Sequence, residues 1–313
     1  MGHRLGRLLV LALTLLWRLA AAEQERGDIE FTSIDARNAA KGGGAVLSDF
    51  AQFGDNPSFS AIEHKFNVGS TYYFMESFSF AASDNKTAGF AGGLLYDRHN
   101  RLDTIKTNTA FQFGDWFYAG FNLKFLSGRF YPLQRKVQAF TVDIGLGVKI
   151  ADIVFIGASL NDFVPLGDNL PMRVTGQFEV DIYKRMILFN FAGGYHIDHK
   201  EERVPNRRPF VAYADFSTGL EFRYSWFSAQ VGVNTNSFSR DFTFDDLLKT
   251  VGIGFYKERT VKMKPTLQTA QDGTGSVQKQ DGDAVEDGGG AYVGLYITRT
   301  FITFALTFIW EPK

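Results

Sequence analysis

From Phe140 to Ile150 every second residue is apolar. Phe140, Val142, Ile144, Leu146, Val148 and Ile150 take one parity; Thr141, Asp143, Gly145, Gly147 and Lys149 take the other. A period of two is the mark of a strand with one apolar and one polar face. It returns at Leu170–Tyr183, where Leu170, Met172, Val174, Phe178, Val180 and Ile182 oppose Arg173, Thr175, Gln177, Glu179 and Asp181. At Phe210–Tyr224 the polar face carries Asp215, Glu221 and Arg223. These runs span 11 to 15 residues. Globular strands usually hold about 5–6, whereas a tilted strand needs about 9–11 to cross a bilayer.

Read along the chain, the alternation predicts fourteen strands, near 65–74, 78–83, 88–96, 104–113, 116–127, 137–150, 153–163, 170–183, 186–198, 210–224, 227–236, 246–257, 290–298 and 301–310. The stretch "ESFSFAASDNKTAG" reads as one strand or two. Two-residue breaks (Gly114-Asp115, Ala151-Asp152, Lys184-Arg185, Ser225-Trp226) alternate with longer polar ones at 97–103, 128–136, 164–169, 199–209 and 237–245. Short turn and long loop in alternation is the organisation of an outer-membrane barrel. An even count puts both termini on the periplasmic side. The break at 258–289 falls there too, and its "QDGTGSVQKQDGDAVEDGGG" composition predicts a disordered insert. Trp116, Trp226 and Trp310 all fall at that rim, where an aromatic girdle belongs.

A soluble sandwich also alternates. Strand length, Phe-rich apolar faces and polar faces with both signs of charge favour a transmembrane antiparallel β-barrel, all-β apart from its N-terminus. Closure is required there, because open edges would leave backbone groups unsatisfied in lipid. The lumen's polar face is predicted to include Asp143, Lys149, Arg173, Glu179, Asp181 and Arg223.

Composition sharpens this. Aromatics are 15%, with 32 Phe, and there is no cysteine, so no disulfide supports the chain. The net charge of -1 gives no electrostatic case for nucleic acid. Arg4 and Arg7, the apolar run Leu8–Trp17 and Ala20-Ala21-Ala22 have the order of a secretory signal peptide over 1–22. An N-terminal segment at 23–64 then precedes the barrel at 65–313.

Chemistry is sparse. No cysteine nucleophile and no GxSxG is present, so no enzyme is expected. His196-Ile-Asp-His199 fits a strand end entering a loop better than a metal site. The acidic "DGDAVED" lacks the order of a calcium loop. No cofactor is implied.

The stretch "DARNAAKGGGAVLSDFAQFGDNPSFSAI" resembles the N-terminal signature of the FadL-type outer-membrane transporter superfamily. Its parts are a small-residue helix (Ala36–Lys41), a glycine turn (Gly42, Gly43, Gly44), a second helical segment (Ser48–Phe53) and Asn56-Pro57 leading into the first strand. Lys41 stands where an apolar residue is usual, and Ser58 where alanine is common. "FYAGFNLKFLSGRF", "AFTVDIGLGVKI", "IGASLNDFVPLGDNLP" and "MRVTGQFEV" are similar to its PorV-like branch and to spirochaete relatives. The resemblance implies a fourteen-stranded barrel with this segment folded into the lumen as a hatch. It implies passive uptake of long-chain fatty acids or other hydrophobic molecules through the outer membrane, gated by that hatch. Gly42–Gly44 would let the hatch bend, and Val46, Leu47, Phe50 and Phe53 would offer an apolar path. The alternative is a PorV-like barrel that serves as a secretion platform for a protein partner in the outer membrane or periplasm.

Overall fold

A computed structural model describes residues 36–41, 43–47, 50–54, 56–62, 66–73, 77–85, 90–99, 102–130, 135–168, 170, 172–183, 185–197, 214–235, 248–257, 260–262, 265–269, 276–280, 284–286, 288–297 and 302–311. The expected leader, Gly42 and the 199–209 and 237–245 loops lie outside them. The wall strands are β1 (Phe66–Tyr73), β2 (Ser77–Asp84), β3 (Phe90–His99), β4 (Leu102–Phe113), β5 (Phe117–Phe130), β6 (Arg135–Ile150) and β7 (Val154–Asn161). They continue as β8 (Met172–Tyr183), β9 (Ile187–Ile197), β10 (Ala214–Tyr224), β11 (Phe227–Thr235), β12 (Leu248–Lys257), β13 (Gly288–Ile297) and β14 (Ile302–Glu311). Each pairs antiparallel with its neighbours in chain order, and β14 pairs with β1 from Val68↔Trp310 to Tyr73↔Ala305, which closes the sheet. The ambiguous stretch before Phe90 holds one described strand, β2, and β3 starts beyond it at Phe90. A two-residue strand, Leu166–Gly167, adds to β6 beyond the end of β7.

The faces sort by parity. Phe80, Leu94, Phe121, Ile144, Phe222 and Phe308 stand exposed on the outside; Asn67, Asn122, Asp143, Glu179, Asn190 and Glu221 are buried inside. This inverts the arrangement of a soluble protein. An apolar exterior running right round the wall far exceeds the patches a water-facing surface carries, and it matches hydrocarbon. Among the described residues no helix is long and apolar enough to cross a membrane.

β1 begins and β14 ends at one rim, and the pairs Lys257↔Gly289 and Gly289↔Trp310 put the 258–289 insert at that rim too. Trp116, Trp226 and Trp310 lie there more than half exposed, and Trp226 stacks on Phe255 with centroids 5.5 Å apart. The insert, expected to be disordered, carries two short antiparallel ladders, Thr260–Lys262 with Ala284–Glu286 and Pro265–Thr269 with Ser276–Gln280. The first ladder keeps the β12–β13 register past the rim (Lys257↔Gly289, Thr260↔Glu286); the second is shifted by one residue (Pro265↔Gln280). Between β6 and β7, Ala151 and Asp152 both adopt positive φ (51° and 56°), the geometry of a type I′ hairpin turn. Lys149 steadies it through a 2.8 Å ion pair to Asp152, and that hydrogen bond holds the Asp152 carboxyl below its ordinary range.

Candidate functional site

The chain's own N-terminal segment lies in the lumen. Its described residues fold as α1 (Ala36–Ala40), turns and bends at 41 and 43–47, α2 (Ala51–Gly54) and a 3-10 helix (Pro57–Ala61). Helices this short leave most terminal N–H and C=O groups without internal partners. Buried away from water, each such group costs free energy unless something bonds it. Here the polar face of the wall does so.

The first half of the segment meets β8–β14. The Ala36 N–H donates to Thr307 Oγ1 at 2.7 Å. The Thr250 hydroxyl donates to Ala40 O at 2.8 Å. The Asn190 amide reaches both Lys41 O and Gly43 O, and the Ser217 hydroxyl also reaches Gly43 O. Glu179 Oε2 accepts the successive N–H groups of Val46 (2.5 Å) and Leu47 (2.8 Å).

Charge concentrates at the same place. Arg37 donates a forked pair of bonds to Glu221, Nε to Oε1 at 2.8 Å and the guanidinium NH2 to Oε2 at 3.0 Å. Lys41 Nζ sits between the carboxylates, 3.3 Å from Glu179 and 3.2 Å from Glu221. Arg223 also bonds Glu221. Lys41, Glu179 and Glu221 have no exposed side-chain surface. Removing one member of such a cluster strands the rest as buried charge, a loss of roughly 3–5 kcal/mol.

The second half meets β2–β7 through amides and close packing. Asn122 donates to Gln52 O at 2.9 Å, Asn108 to Pro57 O at 3.0 Å and Asn85 to Ser60 O at 2.6 Å, while Lys106 Nζ donates to Phe53 O. Gln52 and Phe53 belong to the last turn of α2, so Asn122 and Lys106 satisfy carbonyls that the helix itself leaves open. Asn56 caps the 3-10 helix, its Oδ1 accepting from Ser58 N at 3.0 Å. Its Nδ2 donates to the strand carbonyls Leu146 O (3.0 Å) and Ala158 O (3.2 Å). Between Asn56 and β1, Pro57 opens a helical turn, because its fixed φ suits a first helical position.

Inward-facing glycines make room for this segment. A Cβ at Gly69 would meet Phe50 at 2.6 Å, one at Gly93 would meet Phe53 at 2.7 Å, and one at Gly120 would meet the Pro57 carbonyl at 2.7 Å. Cβ atoms at Gly145, Gly157 and Gly219 would collide with Asn56, Phe59 and Lys41. Glycines on the polar parity are therefore sockets for a buried segment.

Of the hatch residues singled out from sequence, Gly43 and Gly44 take positive φ (86° and 72°) at the end of α1. Val46, Leu47, Phe50, Phe53, Asn56 and Pro57 are buried in the lumen. Phe50 and Phe53 pack with Tyr73, Leu95, Tyr292 and Ile309; Val46 and Leu47 pack with Phe59, Phe155 and Leu188. These apolar side chains seat the segment against the wall. Of the polar-face residues, Glu179 and Arg223 join the Glu221 cluster. Asp143 pairs with Lys124 at 3.2 Å, Arg173 with Asp215 at 3.0 Å, and Lys149 with Asp152. Asp181 caps the turn at Arg185 N. The structure thus divides the six among several places.

Arg37, Lys41, Glu221, Asn108, Asn122 and Asn190 were not singled out as site residues. Parity would have found the wall members, since each sits at an inward position of its strand. Lys41 was visible only as a departure from an apolar position.

No protein-family profile and no curated protein matches this chain. Among solved structures, the CymD monoaromatic hydrocarbon channel aligns over 90% of this chain and 98% of its own, at 9% identity and a TM-score of 0.55. The Ralstonia pickettii toluene transporter TbuX aligns over 91% and 99%, at 10% identity and a TM-score of 0.52. At such identity the likeness speaks for the fold, an outer-membrane β-barrel.

Proposed function

We propose that this chain is an outer-membrane channel for small hydrophobic molecules, held shut by its own N-terminal hatch. The observation that carries the reading is the lumen itself. A closed barrel encloses a segment whose backbone is bonded to the wall on two sides and whose charges are matched by the wall. A segment kept in place by side-chain bonds can leave when those bonds are exchanged for water. Supporting it, the barrel shares its fold with channels described as carrying toluene and monoaromatic hydrocarbons. The resemblance of Ile34–Ala61 to FadL-type hatches favours long-chain fatty acids or similar apolar solutes as cargo, with Gly43 and Gly44 as the bend. The bilayer is the chain's surroundings, and the exported leader its route there.

The test compares the native chain with a chain lacking residues 34–59, both folded into planar bilayers and into vesicles. The deletion should conduct small ions steadily where the native chain stays closed. Native vesicles should take up a fluorescent fatty acid faster than protein-free ones. A silent deletion refutes the hatch. Absent uptake, with a stoichiometric protein retained from outer membranes, would favour the secretion-platform reading.

A further inference from the structure

The two halves of the hatch differ in charge. Both sit in glycine sockets and both bond the wall: Phe50, Phe53, Pro57 and Phe59 in the half that runs within a few residues into β1, Ala40 and Lys41 in the other. Residues 36–47 add to this the ion pairs of Arg37 and Lys41 with Glu179 and Glu221, beside two positive-φ glycines, and insert no aromatic ring. A buried ion pair gains little net free energy over its hydrated partners, because desolvation offsets most of the Coulomb attraction. Separating both partners into water is therefore inexpensive. Withdrawing aromatic rings from sockets has no such compensation.

The charges left on the wall are unequal. Among the described residues of β8–β12, the inward positions carry the carboxylates Glu179, Asp181, Asp215 and Glu221 against the guanidiniums Arg173 and Arg223. The two cations that restore balance, Arg37 and Lys41, belong to the hatch. On the opposite wall the described cations pair within the wall and its turns: Lys124 with Asp143 and Asp162, and Lys149 with Asp152.

We propose that residues 36–47 are the moving arm of the hatch, and that its withdrawal uncovers a cation-selecting sector of the lumen between β8 and β12. The inference rests on the channel reading above. Glu179 and Glu221 change role between states: they anchor the arm when it is in, and attract small cations or positively charged head groups when it is out. A low-dielectric cleft lined with excess carboxylate concentrates counter-ions by tenfold or more.

The test uses the full chain in planar bilayers under a salt gradient. Arg37→Glu with Lys41→Glu sets like charges against Glu179 and Glu221. This variant should conduct, with cations favoured over anions by on the order of tenfold. Adding Glu221→Arg, which leaves Glu179 to accept from Val46 and Leu47, gives the new carboxylates a partner and should close the channel again. Heat-modifiable gel mobility reports folding for each variant. If the reversal variant does not fold, Arg37→Gln with Lys41→Met carries the same expectation. A silent arm variant beside a conducting 34–59 deletion overturns the inference and leaves the channel reading standing. Conductance without cation preference, or failure of Glu221→Arg to close it, also overturns it. If neither the arm variant nor the deletion conducts, both readings fall.

Discussion

Glu179 accepts three bonds at once: the amides of Val46 and Leu47 on Oε2 and Lys41 Nζ on Oε1. Replacing it with Ala leaves two buried N–H groups unbonded, at about 1–3 kcal/mol each, and leaves Lys41 with Glu221 as its remaining carboxylate partner. Relaxation and entering water will return part of that loss, so about 3 kcal/mol is a fair figure for the local destabilisation. It converts to roughly a hundredfold, since about 1.4 kcal/mol is a factor of ten. Amide hydrogen exchange reads this directly, because local opening sets the rate. The Val46 and Leu47 amides should exchange about a hundredfold faster in Glu179→Ala, while β1 and β14 amides keep native rates. Glu179→Gln separates the two contributions. Its amide oxygen still accepts from Val46 and Leu47, but its charge is gone and its NH2 opposes Lys41. Its acceleration should fall between native and Ala. Unchanged exchange at Val46 and Leu47 in Glu179→Ala would refute the claim that the wall holds the hatch backbone. Uniform acceleration throughout β1–β14 would show that Glu179 supports the barrel instead.

Asn56→Asp preserves shape and the cap to Ser58 but removes the donors to Leu146 O and Ala158 O. It should loosen the 3-10 helix by about 2–4 kcal/mol, seen as new protease cleavage within 50–62 in folded barrels. Leu220 faces outward at the centre of β10. Leu220→Lys should cost about 2–4 kcal/mol of folding stability in bilayers, measured by denaturant titration in vesicles; a neutral result would argue that this face meets water.

The wall was legible in the chain before any coordinates, and the reason is local. Period-two patterning is written residue by residue, so Phe140–Ile150 declares both its faces without reference to any partner. Most of the fourteen strands could be placed this way, the stretch 76–89 staying open between one strand and two, as could the terminal rim with its tryptophans. The helix–glycine–helix order of 34–61 was what the resemblance to FadL-type chains implied. The contacts in the lumen could not be read locally. Whether Gly69 or Gly120 is a turn, a bulge or a socket depends on what lies opposite, and Phe50 and Pro57 approach only after the barrel closes. The same holds for charge. Arg37 and Glu221 are 184 residues apart, and Lys41 and Glu179 are 138 apart. Nothing in their local sequence marks them as partners, and only closure of β14 on β1 brings them to one lumen. The insert differs for a related reason: its composition favours disorder, but the first of its two ladders extends a wall register that composition does not encode. Alternation by itself determined that this chain builds a membrane wall with a polar interior. The tertiary structure alone decided which wall residues hold the segment that the resemblance placed in the lumen, because distant residues become neighbours only when the sheet has closed.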